Sequence, residues 1–171
     1  MAMSLKEVST VLDNIGWKHK LNEDDKVIVS MGGNSSSDLM FFTRMGEDGE
    51  IFDMAARIIE DSTQVTAKGS KYVTELMAYL LLRNYETKFG TWEFDKEDGT
   101  ISFAVEIPLE DNTLTEKQLK RITRLMNSAG EEADNIKSLL ATGKLPLDGN
   151  EAAKKIAELE AMLAQLQGSG I

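Results

Sequence analysis

Hydrophobic and polar positions change their period several times along the chain, and each change predicts a new element. An apolar stripe at helical spacing runs over residues 5–15, behind a Ser4–Glu7 pair that fits a capping box. From residue 17 to residue 60 the period is two, which predicts four strands joined by polar turns. The glycine- and serine-rich stretch at residues 32–37 is predicted to be the loop between the second and third strands.

A helix is predicted next, from about Ser70 to Glu86. It is apolar around most of its circumference between Leu76 and Leu82, so it must be covered on more than one side. Either it is a central core helix, or its second face lies in a dimer interface. The residues assigned to that dimer interface are Tyr72, Leu76, Tyr79 and Arg83.

Residues 89–118 alternate, turn, alternate again and then open another helix. The Asp98-Gly99 pair is predicted to supply the positive φ angles of a tight hairpin turn. Pro108 ends the returning strand, because it cannot donate a hydrogen bond to the ladder. A second capping-box pattern at Thr115–Gln118 then starts one long helix, whose apolar positions continue to Leu140.

These elements run in the order α-β-β-β-β-α-β-β-α and predict an α+β fold. An antiparallel β-sheet of five to six strands is packed by helices on one face. We divide the chain into a domain at residues 1–145 and an appendage at residues 146–171, where a hinge precedes a C-terminal amphipathic helix. The apolar stripe of that helix has three possible docking surfaces, namely a groove of its own domain, a second subunit or a separate partner.

The composition of the chain limits the classes of function that it could have. The chain of 171 residues has a net charge of −10, which disfavours binding to nucleic acid or to an anionic membrane. It has no cysteine, which excludes a disulfide framework, a thiolate metal site and a cysteine nucleophile. The first residues do not read as a secretory signal, and no apolar run is long enough to span a bilayer. We therefore expect a soluble, cytoplasmic protein.

The apparent reactive motifs lack the residues that their chemistry needs. Residues 31–38 lack the Gly-Lys-Ser/Thr sequence of a phosphate-binding P-loop. Residues 95–100 begin like a calcium loop, but their glycine comes fifth and not sixth. His19 is the only histidine, which disfavours a zinc or iron site. We expect no catalytic residue, no metal and no cofactor, and hence no enzyme.

One segment carries a resemblance to a known family, and it reads LLLRNYETKFGTWEFDKEDGTISFAVEIPLEDNTLT. Together with the order of elements, it resembles the YbjN family of bacterial proteins, also called sensory transduction regulators. In that family a helix ends in a Leu-Leu-x-x-Asn-like stretch, here residues 81–84, and leads into a hairpin. The resemblance covers about residues 4–141. It implies a fold shared with the small type III secretion chaperones, and a homodimer that binds another protein.

Nine methionines favour a surface that accepts varied apolar shapes, although most of them fit an ordinary core equally well. The assigned partner-binding residues are Met31, Met40 and Phe42 on the strands, with Ile156, Leu159 and Leu163 on the C-terminal helix. We predict a dimeric, noncatalytic chaperone or adaptor that holds an extended peptide of a partner protein along a sheet edge. The alternative is a signalling regulator that responds to a small ligand.

Overall fold

The computed structural model describes residues 3–34 and 37–146. Its helices and strands follow the predicted order, with one further short strand. The elements are, in chain order, α1 (Leu5–Asn14), β1 (Lys20–Asn22), β2 (Val27–Asn34), β3 (Ser37–Gly46), β4 (Ile51–Glu60), β5 (Thr63–Gln64), α2 (Val73–Glu86), β6 (Thr91–Phe94), β7 (Ile101–Pro108), α3 (Glu116–Ser128) and α4 (Ala133–Thr142).

One antiparallel sheet contains all seven strands, against the five to six predicted. Its order is β1-β2-β3-β4-β7-β6, and β5 pairs with the end of β4 beside this path. The predicted α+β class is therefore confirmed. The chain crosses from β4 to β7 by way of α2 and β6, so strands that are distant in sequence become neighbours.

The core lies on the inner face of the sheet. Alternate residues of the central strands point inward, and Phe41, Phe52 and Met54 are fully buried. They share one core with apolar residues of all four helices, including Leu12, Leu76, Leu119, Ile122 and Ile136. The side chains between them on each strand point to the outer face, because successive strand residues alternate.

Both predicted capping boxes are confirmed. The Ser4 hydroxyl accepts a hydrogen bond from the N–H of Glu7, and the Ser4 N–H donates to the Glu7 carboxylate at 2.7 Å. Thr115 and Gln118 exchange the same two bonds at the start of α3. Helices α1 and α3 therefore begin where their sequences place them.

Three predicted boundaries are wrong. The stretch at residues 32–37 is mostly strand, since β2 runs to Asn34 and β3 starts at Ser37. The long last helix is broken into α3 and α4 by a tight turn at Ala129–Glu132, which contains the helix-weakening Gly130. The helix α2 starts at Val73 and not at Ser70, whose hydroxyl instead donates to the carbonyl of Leu140 at 2.8 Å.

The hairpin between β6 and β7 has a wider turn than predicted. Only Gly99 has a positive φ, at 79°, while Asp98 accepts a hydrogen bond from the N–H of Thr100 through its carboxylate. The N–H of Gly99 donates to the carbonyl of Asp95 at 2.8 Å. Gly99 also lies so close to the preceding connection that a Cβ atom there would be 2.5 Å from the backbone nitrogen of Lys68.

Gly69 provides a matched control for this close approach, since its φ is also 79° but nothing lies within 4 Å of an added Cβ. We expect Gly69→Ala to lower the free energy of unfolding by about 1 kcal/mol, through the positive φ alone. Gly99→Ala should lower it by at least about 1 kcal/mol more, because backbone must move aside. Urea unfolding measures both changes, and equal costs would contradict the close approach at Gly99.

The predicted C-terminal appendage lies outside the described residues, which end at Pro146. This applies to the hinge, to the amphipathic helix and to Ile156, Leu159 and Leu163. The division of the chain at residue 145 stays a prediction.

Candidate functional site

The outer face of the sheet brings together the three partner-binding residues predicted on the strands. Met31 of β2 pairs with Met40 of β3, and Val29 pairs with Phe42 one step along. We call these four residues the methionine patch. Met31 is 54% exposed, and the other three side chains are half-buried. The guanidinium of Arg57 lies 4.8 Å from the ring centre of Phe42 and borders the patch toward β4.

Three carboxylates occupy the other half of the same face, and we call them the acidic trio. Asp53 of β4 pairs with Glu106 of β7, so two like charges stand directly across the ladder. Glu93 of β6 is the third member. Partial burial, and then the charge of Glu106, raise the pKa of Asp53 above its usual value, although Arg44 partly offsets this. Partial burial and the charges of Glu106 and Asp53 raise the pKa of Glu93 as well.

The raised pKa values of Asp53 and Glu93 predict how the stability of the fold depends on pH. A carboxyl that is harder to ionise in the folded state lowers stability as pH rises through its unfolded and folded pKa values. The acidic trio should therefore cost stability at neutral pH relative to pH 4. We expect Glu106→Gln to lower the pKa of Asp53 and Glu93 and to reduce this loss.

Carboxyl-carbon NMR titration of wild type and Glu106→Gln measures the shift directly. Asp98 serves as an internal control, because its pKa is lowered by hydrogen bonds from Thr100 and is independent of Glu106. Unchanged titration of Asp53 and Glu93 in the variant would contradict the coupling within the acidic trio.

The dimer interface assigned to the helix α2 needs correction. Leu76 and Tyr79 are 0% and 1% exposed within the chain itself, so neither has surface to offer a second copy. Tyr72 and Arg83 are half-buried. The residues were assigned from an apolar stretch that the structure divides into two faces, of which one packs into the core.

Tyr79 and Arg83 instead connect α2 to the start of α4. The Tyr79 hydroxyl donates to the Glu132 carboxylate, and an Arg83 guanidinium nitrogen lies 2.5 Å from the other oxygen of Glu132. The side-chain amide of Asn135 donates to the Tyr79 oxygen at 2.8 Å. Glu132 is buried, so these partners supply the hydrogen bonds that water would otherwise supply.

Burial, followed by the hydrogen bond to Glu132 and its charge, raises the pKa of Tyr79 far above its usual 10.0. The folded state then holds the Tyr79 proton where the unfolded state has lost it, so stability should fall as pH rises above about 10. We expect Tyr79→Phe to remove this part of the alkaline loss. It should also cost about 2 kcal/mol at neutral pH, because Glu132 loses a buried donor.

Urea unfolding at pH 8 and at higher pH tests both parts of this prediction. Tyr85→Phe is the matched control, because Tyr85 is 89% exposed and its hydroxyl should not affect folding. A Tyr79→Phe variant as stable as the control at neutral pH would contradict the role of the Glu132 contact.

The exposed face of α2 carries an apolar surface of its own. The sequence pattern did not distinguish it from the buried face of the same helix. Met77, Leu81 and Tyr85 recur every fourth residue and continue to Phe89 just past the helix. We call these four residues the α2 stripe. Leu81 is 72% exposed, although leucine is usually buried. The spacing of four was readable in the sequence, but the neighbouring residues Leu76 and Leu80 concealed it.

The edge of the sheet at β6 is occupied by a side chain. Asn84 of α2 accepts a hydrogen bond from the N–H of Trp92 at 2.7 Å and donates to the carbonyl of Trp92 at 3.0 Å. These are the two bonds that a neighbouring strand would make with an edge residue. The Asn84 contact explains why the end of α2 leads so directly into the hairpin, and it blocks strand addition at this point.

His19, which was considered above as a possible metal ligand, has hydrogen-bond partners within the fold. The side chain of His19 is 5% exposed, with one ring nitrogen 2.8 Å from the Trp17 carbonyl and the other 2.6 Å from the Ser9 hydroxyl. Within residues 3–34 and 37–146, no group of three or more histidine, aspartate or glutamate side chains is arranged to hold a metal ion. Among the helices that the structure describes, none has the length and hydropathy to cross a membrane.

Within residues 3–34 and 37–146, fold and site define a two-layer α+β protein whose sheet has an uncovered outer face, with the methionine patch on one half and the acidic trio on the other. A family model matches residues 4–135, and its description is "YbjN: Putative bacterial sensory transduction regulator". The chain belongs to the YbjN family, as its sequence predicted. A search of curated proteins finds no match to it. The likeness to type III secretion chaperones stays a prediction.

Proposed function

We propose that this protein is a noncatalytic adaptor or regulator that binds a segment of a partner protein on the outer face of its sheet. One observation carries the proposal, namely that the methionine patch and the acidic trio share this face. Thioether and aromatic side chains accept apolar groups of varied shape. The acidic trio favours lysine or arginine, because a nearby cation relieves the repulsion that raises the pKa of Asp53 and Glu93.

The sheet geometry specifies the spacing of the bound segment. Three strand spacings, about 14 Å, separate β2 from β7, and the register places Glu106 level with Asp53 but Met31 level with Arg57, four residues along β4. Met31 and Glu106 are therefore about 19 Å apart across the face. An extended segment covers this distance with about six residues and a helix with about thirteen. The proposed partner segment therefore carries an apolar side chain and a basic one at one of these two separations.

Binding on the face is favoured over the sheet-edge binding predicted from the sequence. At one edge, Asn84 occupies the free backbone groups of Trp92. At the other edge, β1 covers only the first three residues of β2, at Val27–Val29. The remaining residues of β2 lie beside the methionine patch and are not paired with β1. An extended partner segment that binds on the face is therefore able to continue along this part of the edge.

A small-ligand sensor remains the second candidate, and a specific cavity favours it. An open cleft of about 780 Å³ lies beside the acidic trio. Its lining carries both signs of charge, since it includes Arg57 and Lys96 as well as Glu93 and Asp95. A small polar molecule with both charges would suit this cleft. Pull-down with mass spectrometry separates the two functions, since one dominant protein partner favours the adaptor.

A peptide display library panned on the full chain tests the adaptor function. We expect the selected peptides to combine apolar and basic residues at the spacing given above. In binding assays with one selected peptide, Met31→Ser/Phe42→Ser should weaken affinity on the order of tenfold, because the apolar anchor loses its contacts. Glu93→Gln/Glu106→Gln should weaken binding and also reduce its salt dependence.

Leu81→Ser is the control, because it removes an exposed apolar side chain from α2 and not from the sheet. It should leave peptide affinity unchanged. Peptides that bind all of these variants equally well would contradict the proposed surface.

The homodimer and the cytoplasmic location predicted from the sequence stay predictions. Burial of Leu76 and Tyr79 removes two of the residues on which the interface was built, so the family resemblance is its remaining support. The proposed binding surface does not depend on a dimer, since β2, β3, β4, β6 and β7 of one chain supply all of its residues.

A further inference from the structure

The cleft beside the acidic trio opens where β4 changes its neighbour in the sheet. The pairing of β4 with β7 ends at Ala56 and Phe103, and the pairing of β4 with β5 begins at Ile59. Arg57 is the first residue beyond the pairing with β7, and its side chain lines the cleft. The guanidinium therefore lies on the outer face, at the place where the two strands part.

Two contacts hold the Arg57 guanidinium in position. It lies 4.8 Å from the ring centre of Phe42, and one of its terminal nitrogens donates to the side-chain oxygen of Gln64 at 3.2 Å. The side-chain amide of Gln64 donates in turn to the Thr100 hydroxyl at 3.1 Å, which fixes the direction of the Gln64 side chain. The planar guanidinium is thus oriented by the fold itself.

Within residues 3–34 and 37–146, no acid neutralises this guanidinium. Four carboxylates line the same cleft, yet none of them forms an ion pair with Arg57. The Nε atom of Arg57 is buried and has no hydrogen-bond partner among the described residues. A guanidinium that has lost part of its hydration without gaining a carboxylate favours binding one. The four acids are Glu93, Asp95, Glu97 and Asp98.

The turn between β6 and β7 supplies other partners for two of these acids. Asp95 accepts a hydrogen bond from the N–H of Glu97, and Asp98 accepts one from the N–H of Thr100, both at 2.8 Å. Hydrogen bonding to Thr100 lowers the pKa of Asp98 more than the charge of Arg57 does. The acids of the turn therefore leave Arg57 available to a carboxylate from another molecule.

The register places Arg57 in one row with groups from both halves of the face. Met31 pairs with Met40, and Met40 pairs with Arg57. On the other side, Ser102 is level with Arg57 one step beyond the last β4–β7 pair, and Ser102 pairs with Glu93. Two strand spacings, about 10 Å, therefore separate Arg57 from Met31, and the same distance separates Arg57 from Glu93.

We infer, on the basis of the proposed adaptor function, that Arg57 binds an acidic side chain of the partner segment. This acid lies three residues from the apolar residue and three residues from the basic one. A polyproline II segment has three residues per turn and rises about 3.1 Å per residue, so every third side chain lies on one side at about 9 Å intervals. That interval matches the row of Met31, Arg57 and Glu93. An interior acid is favoured over a C-terminal carboxylate, because the segment continues from Arg57 to Glu93.

The charges of the cleft also require the basic residue of the segment. Its lining contains two cations, Arg57 and Lys96, against the four carboxylates named above. A segment with a net negative charge would be repelled by this excess of acid. The carboxylate that binds Arg57 must therefore be accompanied by lysine or arginine.

Two heptapeptides test the inference on the full chain. The first is acetyl-Leu-Pro-Pro-Asp-Pro-Pro-Lys-amide, in which the prolines favour polyproline II and the blocked ends leave the aspartate as the one carboxylate. The second has asparagine in place of the aspartate. By calorimetric titration, the aspartate peptide should bind on the order of tenfold more tightly. Arg57→Gln should abolish this difference, and Arg57→Lys should keep part of it, because the charge remains without the planar fork.

Arg44→Gln is the matched control. Arg44 lies on the same face, and its loss changes the net charge equally, but it pairs with Asp53 at the other end of the row of acids. It should leave the ratio of the two peptide affinities unchanged. If Arg57→Gln fails to fold, the comparison of the two peptides on the unmodified protein carries the test.

Three results would overturn the inference. Equal affinity of both peptides for the unmodified protein would overturn it alone, and the adaptor function would stand if Met31→Ser and Glu93→Gln still weakened binding. An equal loss of discrimination in Arg44→Gln and Arg57→Gln would assign the effect to net charge. Failure of both peptides to bind would exclude the three-residue spacing, and the peptide library would then decide the adaptor function separately.

Discussion

The structure depends on the fact that one layer of helices has to cover one sheet. Alternation along β3 and β4 sends Phe41, Phe52 and Met54 inward, where they meet all four helices in a single core. The side chains that alternate with them lie on the other face, away from the helices that the structure describes. When helices pack on one face of a sheet, the other face forms an outer surface. The residue types on that surface determine what the protein is able to bind.

Two polar contacts keep the helical layer in place, and both belong to the end of α2. Asn84 bonds to the backbone of Trp92 at the sheet edge, while Tyr79 and Arg83 hold Glu132 at the start of α4. The helix is thereby attached to β6 on one side and to α4 on the other. This arrangement explains why the most recognisable segment of the sequence contains no reactive chemistry, since its residues position neighbouring elements.

Much of this fold was predictable from local pattern. The period of two located β2, β3 and β4, and the two capping boxes located α1 and α3. Met31, Met40 and Phe42 of the methionine patch were predicted from the methionine content of the strands, whereas their common face follows from the pairing of β2 with β3. The acidic trio was not predictable, because Asp53, Glu93 and Glu106 meet only through the crossover that brings β7 beside β4. The two faces of α2 were also hidden, because buried Leu80 and exposed Leu81 are adjacent and identical in type.

The central claim is that the outer face of the sheet is open in the isolated protein while the inner face is packed. The most direct measurement is the relaxation of methionine methyl groups by a soluble paramagnetic probe. We predict strong relaxation at Met31, which is 54% exposed, and protection at Met54 and Met126, which are fully buried. Equal protection of Met31 and Met54 would mean that another part of the protein covers the face, and it would contradict an open outer face.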